Sequence, residues 1–316
     1  MGYQSAIIDL GTNTFQLLIA GFDAEKMQIS IKENQTYAVS LGLGAMETGF
    51  LQEDALNRAW VALDYFSEII KKYELKGRVT AIGTSIIRNA LNGEEFLSQI
   101  KSRYGFEAVK ISGKREADLI FSGVVESMPK PWIETSLIMD IGGGSTEFIL
   151  FKEEEVLFKG SYEIGGLKML SLFHSNNNFS IENKADMEQY VLAQIKDLIE
   201  ATKQFKPLHL IGAAGAFETL YDLECIENCK DKLEGNYAEE LSVEIFYQHK
   251  RLLEQMTLEE REKFPGMKPF RAGILPSAMI EIDLILQAMG KSSLWFSNFS
   301  LKEGYFFETF RNSIPT

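Results

Sequence analysis

The sequence predicts an α/β protein of two similar domains, on three observations. The chain has 316 residues, and a domain takes about 150. Short β-branched runs alternate with helical periodicities along it. The opening also returns. Ile7-Ile8-Asp9-Leu10-Gly11-Thr12-Asn13-Thr14-Phe15 is echoed by Ile138-Met139-Asp140-Ile141-Gly142-Gly143-Gly144-Ser145-Thr146-Glu147-Phe148, a repeat at the head of two domain-sized halves.

In the first half, Tyr3 to Leu10 reads as a strand, Gly11 to Thr14 as a turn, and Phe15 to Phe22 as the returning strand. Asp23 to Lys26 turns the chain into a third strand, Met27 to Lys32. Leu56, Trp60, Leu63, Phe66, Ile69 and Ile70 share one face of a helix over Glu53 to Lys72. Val79 to Gly83 is a strand, Gly93 to Tyr104 a helix, Ala108 to Ile111 a strand, and Arg115 to Val125 a helix. Ser127-Met128-Pro129-Lys130-Pro131-Trp132 reads as a linker, so the domains are expected at 1–130 and 131–316.

The second half opens like the first. Ser136 to Asp140 is a strand, Ile141 to Thr146 a turn, Glu147 to Phe151 a strand and Val156 to Ser161 a third, with Glu153-Glu154-Glu155 as a solvated tip. Ile181 to Phe205 has one long helical pattern. Leu208 to Gly212 is a strand ending in the small-residue turn Ala213-Ala214-Gly215-Ala216. Leu241 to Gln255 and Leu258 to Glu262 are helical, Ala272 to Met289 is a buried helix starting near Pro276, Ser293 to Phe296 is a strand, and Lys302 to Arg311 a last helix.

Composition narrows the function. Lys and Arg number 32 against 45 Asp and Glu, a net charge of −13. That balance excludes sequence-independent DNA binding, which needs a basic stripe. No apolar run reaches the roughly 18 residues of a membrane span. Met1 to Leu10 lacks a basic n-region and carries Asp9 in its apolar stretch, so a secretory signal is not expected. Cys225 and Cys229 are the two cysteines. They read as thiols on neighbouring turns of a helix rather than half a zinc site, and they suit a reducing cytoplasm. His174, before the polar loop Ser175-Asn176-Asn177-Asn178, and His209 and His249 fall in no motif and are expected to be non-catalytic.

The repeated turn carries the chemistry. Asp at a strand end, then Gly and Ser/Thr in a tight turn, gathers N–H groups and hydroxyls at one point, a concavity that binds phosphate oxygens. Asp9 and Asp140 cannot welcome a phosphate themselves, and a magnesium ion held through waters is their sensible partner. Ile111-Ser112-Gly113-Lys114-Arg115-Glu116 ends a strand and places Glu116 in the first turn of a helix, a candidate to activate water, with Asp118 as the neighbouring alternative. Arg88, after a strand and the Thr84-Ser85 turn, is the candidate cation for phosphate oxygens.

These residues resemble the exopolyphosphatase and guanosine pentaphosphate phosphohydrolase family, of the actin, sugar-kinase and heat-shock-ATPase superfamily, in its short two-domain form. The resemblance runs nearly end to end. It is carried by Asp9 to Thr14, Thr84-Ser85 with Arg88, Ser112-Gly113 with Glu116-Ala117, and Asp140 to Glu147. Gly165, Arg271 with Leu275-Pro276, Ser297, Leu301 and Glu303-Gly304 follow in order. It implies two similar actin-like, ribonuclease H-like domains with a cleft between them, and a last helix, after about residue 300, that packs on the first domain. It implies magnesium-dependent release of terminal phosphate from polyphosphate, or of the 5′ γ-phosphate of guanosine pentaphosphate. Glu116 is then the water-activating residue, and Asp9 and Asp140 organise water and metal, with Glu147 as a third metal candidate. Gly11, Thr12, Asn13, Thr14, Arg88, Gly142, Gly143, Gly144, Ser145 and Thr146 bind phosphate.

Three positions depart from the family. Arg115 replaces the first of two adjacent glutamates, Gly215-Ala216-Phe217 replaces Gly-Gly-Thr, and Lys302 replaces an arginine. The second departure favours polyphosphate over guanosine pentaphosphate. Arg115 is the one support for a different class, a polyphosphate or nucleotide sensor without turnover. A homodimer is the expected assembly.

Overall fold

The computed structural model describes residues 3–23, 28–75, 77–174, 179–230, 237–290 and 292–313. The expected turn over 24–26, Met27 of the third strand and the polar loop 175–178 lie outside them. The chain divides into two compact units, Met1–Gly123 with Leu301–Thr316, and Val124–Ser300. The division falls inside a helix rather than at the prolines near residue 130. Apolar positions continue through Leu119, Ile120 and Val124, all buried, so the prolines come after the division.

In the first unit, β1 (Gln4–Leu10), β2 (Thr14–Asp23) and β3 (Gln28–Ala38) form an antiparallel meander. Helices α1 (Ala45–Thr48) and α2 (Glu53–Ile70) lead to β4 (Val79–Gly83), then α3 (Ser85–Asn89) and α4 (Gly93–Tyr104) to β5 (Glu107–Lys110) and α5 (Gly113–Ser127). The sheet order is β3-β2-β1-β4-β5, with β4 parallel to β1 and β5 parallel to β4. The central strands are apolar on both faces, as sheets covered on both sides require. The edge strand β3 outruns the expected Met27 to Lys32 because Glu33 to Ala38, mostly polar, keep pairing with the long β2.

The second unit repeats this path. β6 (Ser136–Ile141), β7 (Thr146–Lys152) and β8 (Glu155–Tyr162) form the meander. Helices α6 (Gly166–Phe173), α7 (Lys184–Gln194) and α8 (Lys196–Phe205) lead to β9 (His209–Ala213), parallel to β6, and then to α9 (Gly215–Glu227). There follow β10 (Ala238–Leu241), α10 (Val243–Gln255), α11 (Leu258–Glu262), α12 (Pro269–Ala272), α13 (Leu275–Met289) and β11 (Ser293–Ser297). From the same end as before, the sheet runs β8-β7-β6-β9-β11-β10. It is the first sheet's order with one antiparallel edge strand, β10, added.

The last helix, α14 (Leu301–Ser313), belongs to the first unit. Phe306 and Phe310 pack on Tyr3 of the N-terminal segment, and Phe310 stacks on Phe22 of β2 at 4.1 Å. Gly304 lets it cross α5 closely, since a Cβ there would lie 1.8 Å from the Leu119 carbonyl oxygen.

Three expectations change. The pattern over 181–205 is a 3-10 turn at Ile181–Asn183 followed by α7 and α8. The backbone leaves helical angles at Ile195, which is fully buried, so the two helices present separate apolar faces. The helix expected to start near Pro276 does so, running from Leu275 to Met289, and α12 is a separate turn before it. No strand was expected at β10, whose four residues include Glu239 and Glu240. Cys225 is buried in α9, but Cys229 lies beyond the end of α9 with φ 51° and is exposed, so the two do not share a helix.

Candidate active site

The repeat holds at atomic detail in the two glycine turns. Asp9 stands near the end of β1 opposite Gln16, and Asp140 near the end of β6 opposite Glu147. The Gly11 N–H donates to the Thr14 carbonyl at 3.2 Å, and the Gly142 N–H to the Ser145 carbonyl at 2.9 Å. A Cβ on Gly11 would lie 2.7 Å from that carbonyl oxygen, and one on Gly142 2.9 Å from its counterpart. Both turns are closed so tightly that a side chain does not fit.

Each turn is also strapped by the segment after its third strand, a feature the sequence did not signal. In the first unit, the Val39 and Ser40 N–H groups donate to the Asn13 carbonyl (3.0 and 2.8 Å) and the Gly42 N–H to the Thr12 carbonyl (2.9 Å). In the second, the Gly165 N–H donates to the Gly144 carbonyl (3.1 Å), Gly166 to Gly142 (3.0 Å), and Leu167 and Lys168 both to Gly143 (3.0 Å). Gly165 is required here, since a Cβ would stand 2.6 Å from the Ser145 nitrogen. The straps occupy the carbonyls. Among the described residues no backbone carbonyl takes the Gly143 and Gly144 N–H groups, which leaves donors of the kind that bind phosphate oxygens.

The side chains of the second turn divide. Ser145 and Ser161, the residue opposite Glu147 on β8, both donate to Glu147 Oε1 at 2.8 Å. Glu147 is 1% exposed. Thr146 is fully buried and donates through Oγ1 to Glu281 Oε2 of α13 at 2.9 Å. The expectation that the Thr146 hydroxyl meets a phosphate therefore changes, because it faces the core. Asp140 is half-buried and accepts a hydrogen bond from Ser300 Oγ on Oδ2. In the first turn Thr12 is buried, while Asn13 and Thr14 are half-buried, and Asn13 Oδ1 accepts from Ser40 Oγ at 3.3 Å.

Glu116 sits where the sequence places it. Ser112 caps α5, its Oγ accepting from the Arg115 N–H at 3.2 Å, and the Glu116 N–H donates to the Ser112 carbonyl at 2.9 Å. Glu116 is 7% exposed, and Arg88 Nη1 of α3 donates to its Oε2 at 2.9 Å and to the Ile111 carbonyl at 3.2 Å. The structure thus joins the candidate base and the candidate phosphate cation. Arg115 points elsewhere, to Glu308 of α14, and that carboxylate holds its guanidinium above its usual range against the opposing effect of burial. Lys302 of α14 donates to Gln16 Oε1, opposite Asp9.

The Gly212 to Gly215 segment ends β9 and opens α9. There Glu218 accepts from Lys268 Nζ and Arg271 Nη2, each at 2.7 Å, while Arg271 Nη1 donates to Thr219 Oγ1 at 3.0 Å. Burial pushes the Glu218 carboxyl up, but the two cations more than reverse it, to about 2. Each histidine has a polar partner. His174 Nδ1 accepts from the Ser180 N–H (2.9 Å), His209 Nδ1 meets Ser293 Oγ (2.6 Å), and His249 Nε2 meets Glu227 (3.1 Å). Burial lowers the pKa of all three.

Among the described residues no three His, Cys, Asp or Glu side chains gather as a metal site. Magnesium does not ask for one. It keeps several waters and takes one or two carboxylates together with substrate phosphates. Asp9 and Asp140, half-buried at strand ends, each offer a carboxylate of that kind. No described helix is long and apolar enough to cross a membrane.

Comparison with known proteins gives a consistent result. The sequence pattern of the Ppx/GppA phosphatase family matches residues 18–313. A crystal structure of an exopolyphosphatase from Cytophaga hutchinsonii is 32% identical, with a TM-score of 0.91 over 98% of each chain. The Aquifex aeolicus member of the Ppx/GppA family is 25% identical, with a TM-score of 0.79 over 99% of each. The α/β, two-domain actin-like fold expected from the sequence is the fold of these proteins. A bifunctional 3-dehydroquinate synthase/phosphatase of Fusobacterium nucleatum subsp. nucleatum is 29% identical over 90% of this chain and 43% of its own. A guanosine-5′-triphosphate,3′-diphosphate pyrophosphatase of Photobacterium profundum is 26% identical over 96% of this chain and 58% of its own. The chain spans about half the length of these curated relatives.

Proposed function

Because this chain belongs to the Ppx/GppA phosphatase family, we propose that it is an exopolyphosphatase, hydrolysing the terminal phosphate from inorganic polyphosphate. The observation that carries the reading is Glu116: a carboxylate 7% exposed, in the first turn of α5, fixed by Arg88. Glu116 takes a proton from water as the water oxygen attacks the terminal phosphorus. The anhydride P–O bond breaks, orthophosphate leaves, and the shortened chain keeps the bridging oxygen. The turn N–H groups and Arg88 bind phosphate oxygens, and their worth is positioning and charge neutralisation. Asp9 and Asp140, with Glu147 beside the turn, would hold magnesium, which neutralises phosphate charge when bound.

Two observations support polyphosphate as the substrate. The similar Cytophaga protein is an exopolyphosphatase, and Glu218 engages both Lys268 and Arg271 just after Gly215-Ala216-Phe217, which departs from the family's Gly-Gly-Thr. Guanosine pentaphosphate is the second reading, favoured by the resemblance to the Photobacterium enzyme. The sensor reading rests on Arg115, which pairs with Glu308. The test is phosphate release from short polyphosphate, long polyphosphate and guanosine pentaphosphate, side by side with magnesium. Release from the polyphosphates above that from the nucleotide is expected. Release from the nucleotide alone would move the assignment to the second reading, and release from none would overturn both.

A further inference from the structure

Glu281 lies in the middle of α13, 1% exposed, with Ile280, Ile282 and Leu284 buried around it. A glutamate is rarely buried this far. Its Oε2 accepts the Thr146 hydroxyl at 2.9 Å, and its Oε1 has no hydrogen-bond partner among the described residues. Ser277, one turn earlier on the same helix face, is likewise buried with its Oγ unpartnered. Half-satisfied polar groups cost stability that an apolar side chain would not. Packing alone therefore does not account for an acid here.

What Glu281 touches does account for it. Thr146 is the first residue of β7, paired with Ile141 across the base of the glycine turn. It directly follows Ser145, whose hydroxyl holds Glu147. Any shift of Thr146 passes straight into Gly142 to Ser145. The strap leans on the same region: a Cβ on Gly166 would come within 2.4 Å of Ile274 Cγ2, at the start of α13. The turn is thus tied at both ends to one buried helix.

We propose that Glu281 is a positioning residue, whose hydrogen bond with Thr146 anchors the second glycine turn to α13 and fixes where the turn's N–H groups stand. The proposal rests on reading that turn as phosphate-binding. Burial pushes the Glu281 carboxyl well above its ordinary value, outweighing the lowering effect of the Thr146 hydrogen bond, and so favours the neutral form. A neutral amide is then an adequate substitute.

The experiment compares Glu281→Gln, Glu281→Leu, Thr146→Val and the Glu281→Leu/Thr146→Val pair with the natural protein. Glu281→Gln keeps the tie and is expected to keep kcat/KM. The paired variant removes both polar groups at once and is expected to melt no lower than the natural protein. Its kcat is nonetheless expected to fall about tenfold to a hundredfold, the cost of a misplaced phosphate, with no further loss beyond either single change. Amide chemical shifts and exchange rates of Gly143 and Gly144 are read on the same proteins and need no substrate. They should move in the paired variant and stay in Glu281→Gln. A paired variant with full activity and unmoved amides would overturn the proposal, as would a Glu281→Gln protein as impaired as the pair. If the natural protein releases no phosphate from any substrate, the functional reading fails, and the amide measurements still decide the anchoring.

Discussion

Ser145, Thr146 and Glu147 are consecutive, and the fold spends each differently. Strand alternation sends Thr146 into the core onto Glu281, while Ser145 and Ser161 hold Glu147 from one side. The turn's composition is legible in sequence, but this division is not, because it depends on β7–β8 register and on a helix far along the chain. Glu281 did leave a signal: an acid inside the apolar run Met279-Ile280-Glu281-Ile282. Its charge state yields a prediction. Its folded pKa lies well above the ordinary 4.5, so between those values the folded chain holds more protons, and stability falls as pH rises through that window. Glu281→Gln should therefore raise the melting temperature at pH 7 and flatten its decline above pH 4.5, as calorimetry across pH would show. Arg88 belongs to the same level of detail. Arg88→Met should lower kcat/KM about a hundredfold or more, since in the proposed mechanism Arg88 both binds phosphate and holds Glu116. Steady-state kinetics checks it, and an unchanged value would remove Arg88 from the site.

The straps are the elements that tie the two turns down, and of their residues the sequence marks only Gly165. Val39 to Gly42 and Gly165 to Lys168 use backbone N–H groups alone, so side-chain identity announces only Gly165. Gly165→Ala should force the strap off the turn and raise KM about tenfold or more while the protein still folds. Steady-state kinetics beside circular dichroism tests it. Position 115 is similarly an element property. It is the third residue of α5, where an acid would complete a capping box with Ser112. Arg115 gives up that box and ties α5 to α14 instead. Between α9 and α12, Glu218 has a folded value of about 2 against an ordinary 4.5. Its folded pKa is depressed, so it contributes stability above the ordinary value, which is lost as pH falls toward 2. Urea midpoints between pH 5 and pH 2 should decline less steeply in Glu218→Gln than in the natural protein.

For the whole molecule, the repeat was the legible part. Two copies of apolar-apolar-Asp-apolar-Gly predicted two sheets of one topology, β3-β2-β1-β4-β5 and β8-β7-β6-β9-β11. The meander strands and β4, α2 and α4 fell close to their expected ranges because their apolar periods are strong. The insertions of the second unit were harder. The break at Ile195 replaces one helix by two without a proline or glycine to mark it, and β10 is polar and exists by pairing with β11. The division inside α5 was hidden because helical periodicity runs through it. Catalytic candidates were legible where local chemistry defines them, as at Glu116 in the first turn of its helix. Their partners were not, since Arg88, Ser300 and Glu281 are brought in by tertiary structure.

The central claim is that Glu116 activates water for attack on a terminal phosphate. The measurement that tests it most directly is the rate of orthophosphate release from polyphosphate, with magnesium, by the natural protein and by Glu116→Gln, alongside their melting temperatures. A loss of at least about a hundredfold in kcat is expected, with the fold retained. A Glu116→Gln protein that releases phosphate at the natural rate would contradict it.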